Sequence, residues 1–171
     1  MLIIRCETIE DYDTIYEVNK LAFGQENEAR LVENIRHSPN FNPQLSLVAV
    51  KNSKAVGHIL FSDVIIQSQK GDFLALALAP LAVHPEYQNQ GIGTQLVQQG
   101  LRKCQSLGHK VVVVIGHPTF YTRFGFSSAT LKGLSVIWQV PDEAFLILEL
   151  IPNALDGISG VVKYPSVFDA V

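Results

Sequence analysis

The chain has 171 residues, 47% of them hydrophobic and 17% charged, and a formal net charge of −3. That composition excludes a disordered chain, and the length supports a sizeable core in one domain over residues 1–171. The mild negative charge and the lack of a Lys/Arg cluster argue against a nucleic-acid partner.

Residues 1–5 form too short an apolar run for a signal peptide, and residues 2–6 read as a first strand. Thr8 then caps a helix, with Asp11 at its third position partly forming a capping box. Ile9, Tyr12, Ile15, Tyr16 and residues 18–21 carry the helical apolar spacing. A second helix is expected over 28–36, with Leu31, Val32 and Ile35 on one face and Ser38-Pro39-Asn40 as its stop. Strands over 45–50 and 55–66 follow, joined by the hairpin signal Asn52-Ser53-Lys54, the second strand bending near Ser62-Asp63. Residues 73–83 are apolar at almost every position, which is how a strand buried on both faces reads. Pro80 cannot donate to a ladder, so pairing is expected to break or splay there. The same run is too short to span a membrane, so a cytoplasmic chain with no membrane partner is expected.

A glycine loop, Gln88-Asn89-Gln90-Gly91-Ile92-Gly93, leads from that strand into a helix over 92–107. Ile92, Leu96, Val97, Leu101, Cys104 and Leu107 form its apolar stripe, the glutamines at 95, 98 and 99 its wet face, and Gly108 its stop. Cys104 and the distant Cys6 have no metal-ligand spacing and read as reduced core thiols. Residues 111–115 are the strongest strand signal, so strand, loop, helix and strand make a βαβ unit with parallel strands. A short helix over 118–123 and strands over 134–140, 145–150 and 160–164 complete the chain. The class is α/β of the α+β type, with a mixed, mainly antiparallel sheet.

A two-glycine loop at a helix start presents unpaired N–H groups to an anion, and the helix dipole adds to the attraction. A P-loop is excluded because no Gly-Lys-Ser/Thr follows, and a dinucleotide fingerprint because position 96 is Leu96 and several strands come first. A pyrophosphate cradle for coenzyme A is the third reading. Residues 81–93 resemble motif A of the GNAT N-acetyltransferase superfamily: Gln88, Gly91 and Gly93 match its Gln/Arg-x-x-Gly-x-Gly/Ala pattern, preceded by Val83-His84-Pro85. Tyr121-Thr122-Arg123-Phe124-Gly125-Phe126 matches a second family hallmark, and the element order over 1–150 agrees.

The resemblance implies a sheet of about seven strands flanked by helices, with the parallel strands 4 and 5 splayed around a pantetheine arm. It places Leu81, Ala82 and Val83 along that arm and the backbone of Gln88, Asn89, Gln90, Gly91, Ile92, Gly93 and Thr94 around the pyrophosphate. Phe124 falls beside the coenzyme, and it and Phe126 read as packing residues. Acetyl-CoA is the implied cosubstrate, with no metal, and a primary amine on a small molecule or a protein is the acceptor. The amine attacks the thioester directly, with Tyr121 as general acid for the departing thiolate.

Many members carry a Glu base on the fourth strand, but residues 74–81 hold no ionisable side chain. Glu26, Glu28, His58, Asp63, His84 and His117 are candidates by location, beside a water chain. His58 alternates with Val56 and Leu60, as a satisfied core histidine does. The acceptor regions match residues 24–28 and 132–140, and the late strands are where two copies would associate. The competing class is a non-catalytic acyl-CoA-sensing or partner-binding module; Gly91, Gly93 and Tyr121 together favour the enzyme.

Overall fold

Exposure alternates residue by residue along β1 (Leu2–Cys6), as in a strand with one wet face. The computed structural model describes residues 1–171, which divide into two compact units.

The first unit comprises Met1–Ser62, Ala79–Cys104 and Ser166–Val171. In it β1 pairs antiparallel with β2 (Ser46–Lys51), and β2 with the start of β3 (Lys54–Ser68). The hairpin between them turns on Asn52 and Ser53, with φ of 53° and 63°, the left-handed pair of a two-residue turn. Thr8 and Asp11 meet as expected, the Asp11 carboxylate accepting the Thr8 N–H at 2.7 Å. The turn at Ile9–Asp11 is 3-10, however, and the α-helix proper, α1, is Tyr12–Phe23. α2 (Asn27–Arg36) buries Leu31, Val32 and Ile35 as its spacing predicts.

The helix after the glycine loop, α3 (Ile92–Ser106), packs through two glycines. A Cβ on Gly57 of β3 would lie 3.0 Å from Leu96 Cδ1 and 3.1 Å from Ile92 Cγ2, so the first turns of α3 press on bare backbone. A Cβ on Gly100 would lie 2.5 Å from Cε1 of the fully buried Phe61. The sequence stripe omits Gly100 and includes Leu107, which is 38% exposed; Gly100 is the buried position, because an aromatic ring fills the space a side chain would take. Gly100→Ala is therefore expected to destabilise the protein by about 1–2 kcal/mol, overpacking outweighing the roughly 1 kcal/mol gain in helix propensity. Thermal or urea unfolding measures the difference.

The second unit comprises Asp63–Leu78 and Gln105–Pro165. β4 (Gly71–Val83) begins here and pairs in parallel with β5 (Val111–Ile115), as the βαβ reading requires. The ladder registers only Leu76↔Val112 and Ala77↔Val113, ending before Pro80, which has no N–H to offer. β5 also pairs antiparallel with β8 (Phe145–Glu149), which pairs with the short β6 (Ser127–Ser128). The end of β3 pairs with β9 (Gly160–Lys163), and β9 in parallel with β7 (Leu134–Val136). The strand expected over 134–140 thus stops at Val136: the Trp138 ring packs on Tyr164 at 4.7 Å, and Pro141 opens a 3-10 turn. Val64, Ile66, Val113, Phe145, Ile147 and Val162 fill the core of this unit.

Nine strands are present, in the order β1-β2-β3-β4-β5-β8-β6, with β7 and β9 off this path. The sheet is open and mostly antiparallel, with parallel pairing at β4–β5 and β7–β9. No helix is long and apolar enough to cross a membrane.

Candidate active site

In the first unit the glycine loop is fixed at its base before the glycines begin. The His84 N–H donates to the Val56 carbonyl at 2.8 Å, and Gln88 Nε2 donates to the Val83 carbonyl at 3.0 Å. His84 Nδ1 accepts the Glu86 N–H at 3.1 Å, capping the 3-10 turn Pro85–Tyr87. Asn89 and Gly91 both adopt left-handed backbone, with φ of 63° and 83°. A Cβ on Gly91 would meet no atom within 4 Å, so glycine serves conformation there, not space.

Gln88, Asn89, Gln90 and Gly91 are exposed, Ile92 is buried and anchors the first turn of α3, and Gly93 and Thr94 are half-buried. The Gln95 N–H bonds to the Gly91 carbonyl at 3.1 Å, so the N–H groups of Ile92 and Gly93 precede the intrahelical ladder. Open space above Gly91, first-turn donors and the absence of any carboxylate from residues 88–94 suit a diphosphate group. Leu81, Ala82 and Val83 lie at the end of β4, Ala82 buried and its neighbours half-buried.

In the second unit, α4 (Pro118–Tyr121) starts on Pro118 and places Tyr121 over the backbone of Gly116. A Cβ on Gly116 would lie 2.6 Å from Tyr121 Cε2. The ring packs edge-on against Phe120 at 4.9 Å and Phe126 at 5.7 Å. Tyr121 is 8% exposed, its hydroxyl makes no hydrogen bond within the protein, and burial pushes its pKa up to about 12. Phe124 is half-buried against Phe120 at 5.3 Å, and Gly125 turns the chain with φ of 98°.

The candidate bases differ sharply in environment. Glu26 accepts the Tyr16 hydroxyl at 2.7 Å and Arg30 Nη2 at 3.3 Å, and the Tyr16 bond first, then Arg30, hold its carboxyl below the ordinary range. Glu28 accepts Gln25 Nε2 at 3.0 Å. Asp63 is the reverse case: burial raises its carboxyl pKa, with His109 opposing. His117 is exposed and makes no side-chain cap.

His58 is fully buried, as its alternation predicts, but its partners are not legible in the sequence. Asn19 Nδ2 lies 3.3 Å from Nδ1, which fixes the other nitrogen, Nε2, as the N–H that donates to Ser46 Oγ at 2.9 Å. The Ser46 hydroxyl donates in turn to the Glu7 carboxylate. Arg36 closes the network with two bonds to Glu7, Nε at 3.0 Å and Nη2 at 3.1 Å, and lies 3.7 Å above the Tyr12 ring. Burial pushes the Glu7 pKa up, but the nearby His58 ring, with Nε2 at 3.7 Å, and the bonds from Arg36 and Ser46 outweigh it and hold the carboxyl at about 2. Burial lowers His58, which is therefore neutral. No spacing rule links residues 7, 19, 36, 46 and 58, since each sits on or beside a different element.

Comparison with known proteins gives a consistent answer. Residues 4–129 match the Acetyltransferase (GNAT) domain. The uncharacterized N-acetyltransferase YjhQ of Escherichia coli (strain K12) is 40% identical over 134 residues, 78% of this chain and 74% of that protein. The crystal structure of the GNAT family N-acetyltransferase YhbS from Escherichia coli in complex with CoA is 34% identical. It superposes with a TM-score of 0.91 over 98% of this chain and 92% of that one. A GNAT family acetyltransferase from Brucella melitensis in complex with acetyl-CoA is 29% identical, with a TM-score of 0.81 over 99% of both chains. The chain belongs to the GNAT acetyltransferase family.

Proposed function

We propose that the protein transfers an acetyl group from acetyl-CoA to a primary amine. The observation that carries this reading is the glycine loop, with left-handed Gly91 and the Ile92 and Gly93 N–H groups ahead of the helical ladder, in a chain whose relatives were crystallised with CoA and acetyl-CoA. Bound acetyl-CoA supplies the acyl group and a thiolate leaving group. The N–H groups from Gln88 to Thr94 hold its diphosphate, and Leu81 to Val83 line its pantetheine arm.

An alkylammonium has a pKa near 10, so the acceptor must shed a proton before its nitrogen attacks the thioester carbonyl carbon. A C–N bond forms, the C–S bond breaks, the electron pair leaves on sulfur, and the nitrogen, positively charged after attack, releases its second proton to solvent to leave the neutral amide. Tyr121 donates its hydroxyl hydrogen to that sulfur, and the proton it gives up is replaced from solvent. Transfer from a phenol held near 12 to an ordinary thiolate near 8.5 is uphill by about 5 kcal/mol. Desolvation raises the thiol as well, narrowing the gap, and the hydroxyl stabilises the charge as it develops.

The reading is tested by thiol release from acetyl-CoA across a panel of small amines, polyamines, amino acids and peptide N-termini. Amine-dependent release is expected for at least one class. Tight acetyl-CoA binding without release for any amine supports the non-catalytic module instead.

A further inference from the structure

We infer that Lys51 and Lys54, at the tip of the β2–β3 hairpin, form a cationic clamp for the phosphate groups of the coenzyme, which rests on the acetyl-CoA reading above. The β2–β3 register sets Lys51 directly opposite Lys54. Like charges facing each other across an antiparallel pair cost stability, and an opposite pair there would add to it. The arrangement therefore has no folding advantage of its own.

The Lys51 ammonium lies at the glycine loop. Its Nζ is 3.3 Å from Gln90 Oε1 and 5.8 Å from the centre of the Tyr87 ring. Both partners are neutral, and no carboxylate lies within ion-pair distance, so the charge is positioned without being cancelled. The backbone explains the aim. Register shifts between Ala49 and Val50, leaving Val56 as an extra residue in β3; such a bulge increases the local twist. The Val56 carbonyl accepts the His84 N–H, tying the bulge to the base of the loop. Ala49, two residues from Lys51 and on the same face, lies 3.4 Å from where a Gly57 Cβ would sit, the point pressed by Ile92 and Leu96 of α3. The lysine face of the hairpin is thus the face toward the start of α3.

Backbone N–H groups carry only partial charge, whereas the coenzyme carries a diphosphate and a 3′-phosphate. Full positive charges on side chains beside the loop supply what the loop lacks. Phosphate is the recognised chemistry, and the coenzyme offers it at two places.

The test is calorimetric binding of acetyl-CoA, acetyl-3′-dephospho-CoA and acetyl-pantetheine to the wild type and to K51M, K51R and K51M/K54M. The double variant is expected to bind acetyl-CoA about tenfold more weakly at low salt, with a smaller loss at high salt and no loss for acetyl-pantetheine. K51R is expected to keep its affinity, and Tm to hold or rise slightly as the like charges are removed. A loss that disappears with the dephospho form assigns the 3′-phosphate; a loss that persists assigns the diphosphate. Equal acetyl-CoA affinity in wild type and double variant overturns the clamp, as does an equal loss for acetyl-pantetheine. A wild type that binds none of the three overturns the acetyl-CoA reading itself.

Discussion

Tyr121→Phe is expected to lower kcat for acetyl transfer about 100-fold, the low end of general-acid effects, and to change the KM for acetyl-CoA by less than about twofold. The substitution removes one oxygen and keeps the ring that packs on Phe120, Phe126 and Gly116, so Tm should not move. The hydroxyl bonds to nothing in the protein, and its removal leaves no stranded partner. With its pKa near 12, Tyr121 stays protonated across the working range, and kcat should show no descending limb below about pH 11. Gly116→Ala is the companion variant: a methyl 2.6 Å from Tyr121 Cε2 must displace the ring, so kcat falls with the hydroxyl still present. Unchanged turnover of Tyr121→Phe at saturating substrate would remove Tyr121 from the mechanism.

Glu7→Gln is expected to destabilise the fold by about 3–5 kcal/mol, lowering Tm on the order of 10 °C. The Arg36 and Glu7 side chains are only 7% and 2% exposed, so removing the carboxylate leaves a buried guanidinium without its counter-charge. Glu7→Gln with Arg36→Met, which removes both charges, should recover part of the loss.

The same network predicts acid sensitivity. The folded pKa of Glu7, about 2, lies below the ordinary 4.5, so its contribution is complete above about pH 4.5 and lost as pH falls toward 2. His58 is also lowered in the fold; the unfolded imidazole takes up a proton below about pH 6.5 and the buried one does not, which again favours unfolding at lower pH. Tm measured by calorimetry should therefore fall as pH drops below about 6.5, through His58, and below about pH 4.5 the further fall through Glu7 should be absent in Glu7→Gln.

The glycine loop, the helix after it and the Tyr121–Phe126 segment were legible in the sequence because their information is local. A left-handed turn needs Gly91 where it stands, and a helix stripe repeats within one element. Locality also set the limits of that reading. Gly100 looked like a gap in the stripe until Phe61 supplied the ring that fills it. Residues 134–140 had strand propensity throughout, but their partner proved to be β9, and the ladder ended where Trp138 turned to Tyr164. In the sequence Lys54 stands only as part of a hairpin signal and Lys51 carries no signal, because nothing in a hairpin sequence places it beside a loop more than thirty residues away.

By itself, then, the sequence determined the family motifs, the strand–loop–helix–strand unit and the histidine on a buried face. Only the tertiary structure decided which charges meet, because Glu7, Asn19, Arg36, Ser46 and His58 come together solely where separate elements pack. In that packed interior, withdrawal from water makes each unpaired charge costly and each pairing specific.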